Sequence, residues 1–333
     1  MKLESIAVLG AGSWGTALAA LWGKEDRKLR LWARDQSVAD ELQRSRENRD
    51  YLPGVVLPKS VKVTNQLGDA VDVDLIVFVM PSTALRTIAQ RLAKIGVKKE
   101  TILLSCTKGI EHGTGLRMSE ILREYFPENA LAVLSGPNLA VEVARGLPTA
   151  TVLACTDAGG ATQLQNQLGS ARFRIYTGDE LIGIELGGAL KNIFAIAAGV
   201  SDGFGLGDNT KAALITRSLA EMIRLGTAMG GKVTTFYGLS GAGDLIATCY
   251  SRLSRNRRVG EQLGKGESLQ KITSSMQMVA EGIPTTKSAY QCARRLNVET
   301  PIIDQMYSAL YDGKPLPQAM EELLGRDQKA ERI

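Results

Sequence analysis

Short aliphatic runs alternate with amphipathic stretches through the first 180 residues, and turn-forming or polar residues bound each run. Runs this short and this apolar suit strands buried on both faces, while the stretches between them suit helices that cross from one strand to the next. Strands are predicted over residues 5–9, 29–32, 61–64, 75–79, 101–105, 131–134 and 150–154, with an eighth over 173–176. Helices are predicted over 15–22, 36–46, 82–92, 116–125 and 158–168, which is the pattern of a parallel sheet covered by helices on both faces. From about Leu181 the β-branched runs thin out and helical periodicity takes over, at 181–200, 211–228, 261–263, 285–296 and 302–310. The expectation is an α/β domain over residues 1–180, then a mainly α-helical domain over 181–333 that ends in a short, polar, frayed tail from Arg326 to Ile333.

The first predicted strand runs straight into Gly10-Ala11-Gly12-Ser13-Trp14-Gly15 and then into the helix-forming Thr16-Ala17-Leu18-Ala19-Ala20-Leu21. Gly10 permits the tight turn, Gly12 leaves room for a pyrophosphate against the backbone, and Gly15 lets helix pack closely on strand. The free N–H groups at the helix start then meet the anion. A strand before, a helix after and a βαβ unit completed at residues 29–32 give this the context of a Rossmann-like dinucleotide site, with a glycine-rich structural turn as the plainer alternative. At the end of the second strand Arg34 suits a 2′-phosphate and the adjacent Asp35 suits a 2′-hydroxyl. The reading leans to NADPH through Arg34 and keeps NADH as the second cofactor.

Composition changes this picture little. At 333 residues, 44% hydrophobic and 23% charged, the chain has the make-up of an ordinary two-domain globular protein. A net charge of +5, spread without long single-sign blocks, favours anionic ligands weakly and does not call for nucleic acid. Cys106, Cys155, Cys249 and Cys292 lie far apart, with no CxxC pair and no histidine cluster, so no metal is expected. They read as free thiols in a reducing compartment, which points to the cytoplasm. The uncharged run from Ile6 to Trp22 imitates a signal peptide, but its glycines break the apolar core and it falls short of the roughly 20 residues of a bilayer span. No integral membrane segment is expected.

Candidate chemistry lies in the second half. The only histidine, His112, sits in a Gly-flanked loop away from other titratable groups, so lysine is the better candidate for moving a proton. Lys191 interrupts the apolar stretch Leu186-Gly187-Gly188-Ala189-Leu190-Lys191-Asn192-Ile193-Phe194-Ala195, with no carboxylate on its helical face. Gly187 and Gly188, one turn away, are expected to leave a concave patch beside the amine; a snorkelling surface lysine is the plainer alternative. Four arginines between Arg252 and Arg258, with Ser254 and Asn256 among them, offer planar forks and neutral partners for a phosphate. A nucleic-acid patch would want interleaved aromatics, which are absent there, and an exposed helix start is the bland alternative.

With these features in order, the chain resembles the bacterial NAD(P)-dependent glycerol-3-phosphate dehydrogenases of the 6-phosphogluconate-dehydrogenase-like superfamily. The resemblance runs nearly the whole length. It rests on Gly10-Ala11-Gly12-Ser13-Trp14-Gly15-Thr16-Ala17, Tyr51-Leu52-Pro53-Gly54, Ser105-Cys106-Thr107-Lys108-Gly109-Ile110-Glu111, Ser135-Gly136-Pro137, Leu190-Lys191-Asn192, Gly243-Asp244-Leu245, Ser254-Arg255-Asn256-Arg257-Arg258 and Val279-Ala280-Glu281-Gly282. It implies reversible reduction of dihydroxyacetone phosphate to sn-glycerol 3-phosphate for phospholipid synthesis. It further implies Lys191 as the proton-transfer lysine, with Lys108, Asn192, Asp244 and Thr248 around the reacting carbon. By the same resemblance, Ser13, Trp14, Arg34, Lys108, Ala140, Arg255, Val279 and Glu281 contact cofactor, and Gly136, Ser254, Arg255 and Asn256 contact substrate together with Lys108, Lys191 and Asp244. Asn138 stands where the family usually has serine or threonine. A homodimer is the expected assembly. Two rivals are a relative acting on another hydroxy acid or sugar acid, and a non-catalytic dinucleotide sensor, for which Lys191, Asp244 and the arginines would be unneeded.

Overall fold

Eight aliphatic runs form one sheet: β1 (Ser5–Leu9), β2 (Lys28–Trp32), β3 (Val61–Thr64), β4 (Leu75–Phe78), β5 (Ile102–Ser105), β6 (Leu131–Ser135), β7 (Thr149–Cys155) and β8 (Phe173–Thr177). The computed structural model describes residues 3–23, 27–276, 278–327 and 330–331. In space the strands run β3-β2-β1-β4-β5-β6-β7-β8. Every neighbouring pair is parallel except β6 with β7. The wholly parallel sheet expected from the alternation is corrected at that one pair. The order reverses direction beside β1, where the polypeptide leaves first for β2 and later for β4; ligands of doubly wound sheets bind at such a switch point. β1, β4, β5 and β6 are buried almost throughout, as strands covered on both faces must be.

The helices of this sheet unit are α1 (Ser13–Trp22), α2 (Gln36–Ser45), α3 (Ser82–Ile95), α4 (Met118–Tyr125), α5 (Ala140–Ala144) and α6 (Gly160–Leu168). The unit comprises residues up to Thr107 together with Met118–Leu181. Its core is built from Ile6, Val8, Leu18, Trp22, Leu31, Leu75, Val77, Leu104 and Phe173 among others.

The second unit joins Ile182 onward with a ten-residue strap, Lys108–Arg117, contributed from between β5 and α4. Its helices are α7 (Ile182–Gly203), α8 (Gly207–Ala228), α9 (Val233–Phe236), α10 (Asp244–Tyr250), α11 (Arg255–Gly264), α12 (Leu269–Ser274), α13 (Gly282–Arg295), α14 (Pro301–Tyr311) and α15 (Leu316–Leu324). α7 is the axle. By length and composition it could cross a membrane, a candidate the sequence reading passed over, but 94% of its apolar window is buried inside the protein, as in a core helix. α11 lies against it at backbone distance: a Cβ on Gly199 would meet the Arg257 carbonyl oxygen at 2.0 Å, and one on Gly260 would meet that of Ile196 at 1.9 Å. These two glycines therefore bring the start of α11 beside the middle of α7. α11 begins at Arg255, well before the predicted 261–263. Residues 328–329 and 332–333 of the predicted tail lie outside the described residues.

Candidate active site

The sheet unit supplies a cradle made largely of backbone. Gly10 has φ +121°, and a Cβ there would meet the Val79 carbonyl oxygen at 2.5 Å. A Cβ on Gly15 would meet the Gly10 carbonyl oxygen at 1.8 Å, so both positions demand glycine for the turn itself. Gly12 differs: nothing lies within 4 Å of a Cβ built on it. Open space before Gly12, at the N-terminus of α1 where no acidic residue and no side-chain cap intervene, is the shape and polarity a diphosphate needs. The Asn48 side chain, 6% exposed, clamps the loop from behind. It donates to the Ala11 carbonyl at 2.8 Å and to Thr16 Oγ1 at 2.7 Å. The Ser13 hydroxyl donates to the Tyr51 carbonyl at 2.6 Å, and the half-buried Trp14 indole lies 6.4 Å from the Phe173 ring. No spacing rule announces Asn48, whose partners are 32 and 37 residues away in sequence.

Arg34 follows β2 and is exposed, bound to the adjacent Asp35 at 3.1 Å. The two residues that compete for the ribose in the sequence reading thus hold each other. Beyond β6, Gly136 has φ +151° and its Cβ would crowd Thr151, while Ala140 opens the short α5. Asn138 donates to Thr151 Oγ1 at 3.0 Å.

The helical unit supplies charge. Lys191 is 7% exposed on α7, and its ammonium donates to Asp244 Oδ1 at 2.8 Å and to Thr248 Oγ1 at 2.6 Å. Lys108, from the strap, reaches the other oxygen of Asp244 at 2.6 Å. Thr248 in turn donates to Asp244 Oδ1 at 3.1 Å. Lys191 therefore does not stand alone and is not a snorkelling surface lysine; its carboxylate comes from α10, fifty-three residues on. The expected concavity at Gly187 is also corrected, because a Cβ there would meet the Ser240 carbonyl oxygen at 2.6 Å, so backbone fills that space. A π-helical turn, Leu239–Gly243, occupies it and leads directly into Asp244. The glycine brings α10 close instead of opening a pocket.

Burial pushes the Lys191 ammonium down to about 8, and Lys108 adds to that while Asp244 opposes it. For Asp244 burial works against the charge, but the two ammonium groups hold its carboxyl below the usual range. Burial pushes the neighbouring Cys249 thiol up to about 12, so it stays neutral. Two ammoniums around one carboxylate leave a net positive charge in a dry place. Among the described residues Lys191 has two acceptors for its three N–H donors.

The arginine cluster separates on inspection. Ser254 caps α11 by accepting from the Arg257 backbone N–H at 3.2 Å, which leaves its own proton to give. Arg255 is exposed and donates to the Val279 carbonyl at 3.1 Å; the Glu281 carboxylate, at the start of α13, acts on its charge. Asn256 is buried, donating to Asn192 Oδ1 at 2.8 Å and accepting from the Gly282 backbone at 2.9 Å. Arg257 faces inward onto Asp202 at 2.6 Å and Glu261 at 3.4 Å, with Lys211 also on Asp202. It is a structural tie and leaves the phosphate-binding set. His112 is exposed on the strap.

A glycine loop at the switch point of a doubly wound sheet, followed along the chain by a helical unit whose buried lysine is brought down to about 8, defines a nicotinamide-dependent oxidoreductase. Residues 5–161 match the N-terminal domain of NAD-dependent glycerol-3-phosphate dehydrogenase, and residues 180–321 match its C-terminal domain. A glycerol-3-phosphate dehydrogenase (NAD(P)+) of Syntrophotalea carbinolica is 49% identical over 98% of this chain and 99% of its own. One of Fusobacterium nucleatum is 45% identical over 99% of both. The crystal structure of glycerol-3-phosphate dehydrogenase from Coxiella burnetii superposes with TM-score 0.93 at 40% identity, covering 98% of this chain and 99% of that one. The chain belongs to the NAD-dependent glycerol-3-phosphate dehydrogenase family. A ketopantoate reductase from Ralstonia eutropha, at 14% identity and TM-score 0.60, shares the fold alone.

Proposed function

We propose that this protein catalyses the reversible reduction of dihydroxyacetone phosphate to sn-glycerol 3-phosphate with NADPH, and with NADH as the second cofactor, and so supplies phospholipid synthesis. The observation that carries the reading is the buried Lys191 ammonium, with a donor to spare, in a chain 49% identical to a named glycerol-3-phosphate dehydrogenase. A bound nicotinamide supplies the hydride. The open face of Gly12 and the N–H groups of α1 hold the diphosphate, Ser13, Trp14 and Ala140 line the cofactor, and Arg34 turns from Asp35 to a 2′-phosphate.

In the reduction the Lys191 ammonium gives its proton to the substrate oxygen as the ketone becomes an alcohol. Asp244 and Thr248 fix the direction of that ammonium, and Lys108 keeps the local charge positive where negative charge develops on oxygen. In the oxidation neutral Lys191 takes the proton back. Ser254 and Arg255, at the start of α11, hold the substrate phosphate, with Val279 and Glu281 steadying Arg255, and Gly136 stays a substrate contact by the family resemblance. Asn192 and Asn256 bind each other, and Asn256 offers its second N–H to the phosphate.

Four free thiols suit the cytoplasm, and a homodimer is the proposed assembly. Loss of NADPH absorbance when dihydroxyacetone phosphate is added to the purified protein tests the reading; an unchanged trace with both NADPH and NADH would sink it.

A further inference from the structure

Lys108 is the one charged member of the cluster that no helix carries. It opens the strap Lys108–Arg117, and loop segments are mobile unless something ties them down. The strap is tied at several points within the helical unit. Ile110 is 3% exposed and sits in that unit's core, bridged to Arg117 in an antiparallel pair. Gly115, at φ +77°, lies so close to Arg295 that a Cβ would meet its guanidinium at 2.0 Å, and Arg295 donates to the Thr114 carbonyl at 3.0 Å. At the strap's end Arg117 pairs with Glu185 at 2.5 Å, with side chains 12% and 6% exposed.

That last tie differs from the others in where it lands. Glu185 is in the first turn of α7, six residues before Lys191, which is about 9 Å of helical rise. The helix that carries the proton-donating lysine thus also carries the anchor of the strap that presents Lys108. Since a displacement of about 1 Å at a reacting group costs up to 10²-fold in rate, such a shared anchor has catalytic consequences.

We propose that Arg117 and Glu185 are positioning residues of this enzyme: their buried pair fixes the strap on α7 and so keeps the Lys108 ammonium on Asp244 beside Lys191. The inference rests on the reaction proposed above. The charged and titratable groups acting on Lys191 are Lys108 from the strap and Asp244 and Cys249 from α10. Of these only Lys108 depends on the strap. Releasing it removes a repulsion, so the proton of Lys191 is held more tightly and leaves at higher pH.

The test measures kcat for dihydroxyacetone phosphate reduction against pH at saturating NADPH. It compares wild type, Lys108→Met, Arg117→Lys and the double variant Arg117→Met/Glu185→Leu. The double variant removes both charges together, so that the pair is lost without changing the net charge of that part of the core. We expect it to lose roughly tenfold in kcat, within the range for a misplaced group, and to move its alkaline limb to higher pH. Arg117→Lys should fall between it and wild type. On a Lys108→Met background the pair substitution should cost nothing more, as residues acting through one another are not additive. An unchanged limb and kcat, or losses that multiply with Lys108→Met, overturn the proposal. Should the double variant not fold, Arg117→Lys alone carries the test: a displaced limb that vanishes on the Lys108→Met background supports it, and an unmoved limb overturns it. A wild type that consumes no NADPH with this substrate would instead sink the proposed reaction.

Discussion

The glycine loop of the sheet unit and the lysine–aspartate cluster of the helical unit do opposite things with their side chains. At Gly10 and Gly15 side chains are missing because backbone fills their place, and at Gly12 what remains is backbone and open space. At Lys108, Lys191 and Asp244 three charges are packed together, Lys191 and Asp244 buried and Lys108 partly so, and the two buried ones are tolerable only because they are paired. The first arrangement, as proposed, binds an anion whatever reaction follows. The second is suited to the proposed proton transfer because burial brings proton loss from its Lys191 ammonium down to about 8. On the proposed reading, binding and proton transfer should therefore be separable by mutation.

The sharpest separation should come from Lys191→Ala, with turnover falling roughly 10²–10⁴-fold, the worth of a positioned acid or base, while NADPH affinity stays near wild type. Stopped-flow turnover and a cofactor titration on the same preparation check both halves. Next, Arg255→Ala should lower kcat/KM for dihydroxyacetone phosphate by about 10–100-fold, the scale of a charged hydrogen bond. Dihydroxyacetone, lacking the phosphate, should suffer less; equal losses on both would move Arg255 to a cofactor-only role.

On the other side of the comparison, Gly12→Ala should melt like wild type, because its Cβ meets nothing, yet bind NADPH and NADH about tenfold more weakly. Calorimetric melting and two dissociation constants decide this, and a lowered Tm with unchanged affinities would contradict it. The smallest effect is expected at Arg34→Glu. An exposed charge contact is worth about 1 kcal/mol at most, so NADPH should weaken roughly fivefold relative to NADH. Parallel weakening of both cofactors would remove Arg34 as the reader of the 2′-phosphate.

The same contrast explains what could be read in the sequence. The cradle is local: strand, three glycines and helix occupy contiguous positions, so spacing alone displays it, and β1 and β3 fall on their expected residues. The cluster is assembled across 136 residues, from Lys108 to Asp244, and no periodicity links such positions. Lys191 was legible as a charge in an apolar helix, but its carboxylate came only through the family resemblance and not from spacing, since α10 reaches it where Gly187 admits the backbone at Ser240. The arginine cluster misled for a related reason. Arginine-rich sequence shows no apolar face, so a helix start there stood only as the bland alternative, and the four arginines were read as one phosphate cluster although Arg257 points to Asp202. The reversed β7 was equally hidden, because a strand's residues do not record its direction.

The most direct test of the whole account is the pH dependence of kcat for dihydroxyacetone phosphate reduction under saturating NADPH. Lys191 must be protonated to donate, and burial brings its proton loss down to about 8. The sign follows: the reduction should run on a plateau below that pH and fall tenfold per unit above it, while glycerol 3-phosphate oxidation, which needs the neutral amine, should rise through the same point. A reduction rate that stays level to about pH 10, near where an ordinary lysine titrates, would contradict the assignment of Lys191 as the proton donor.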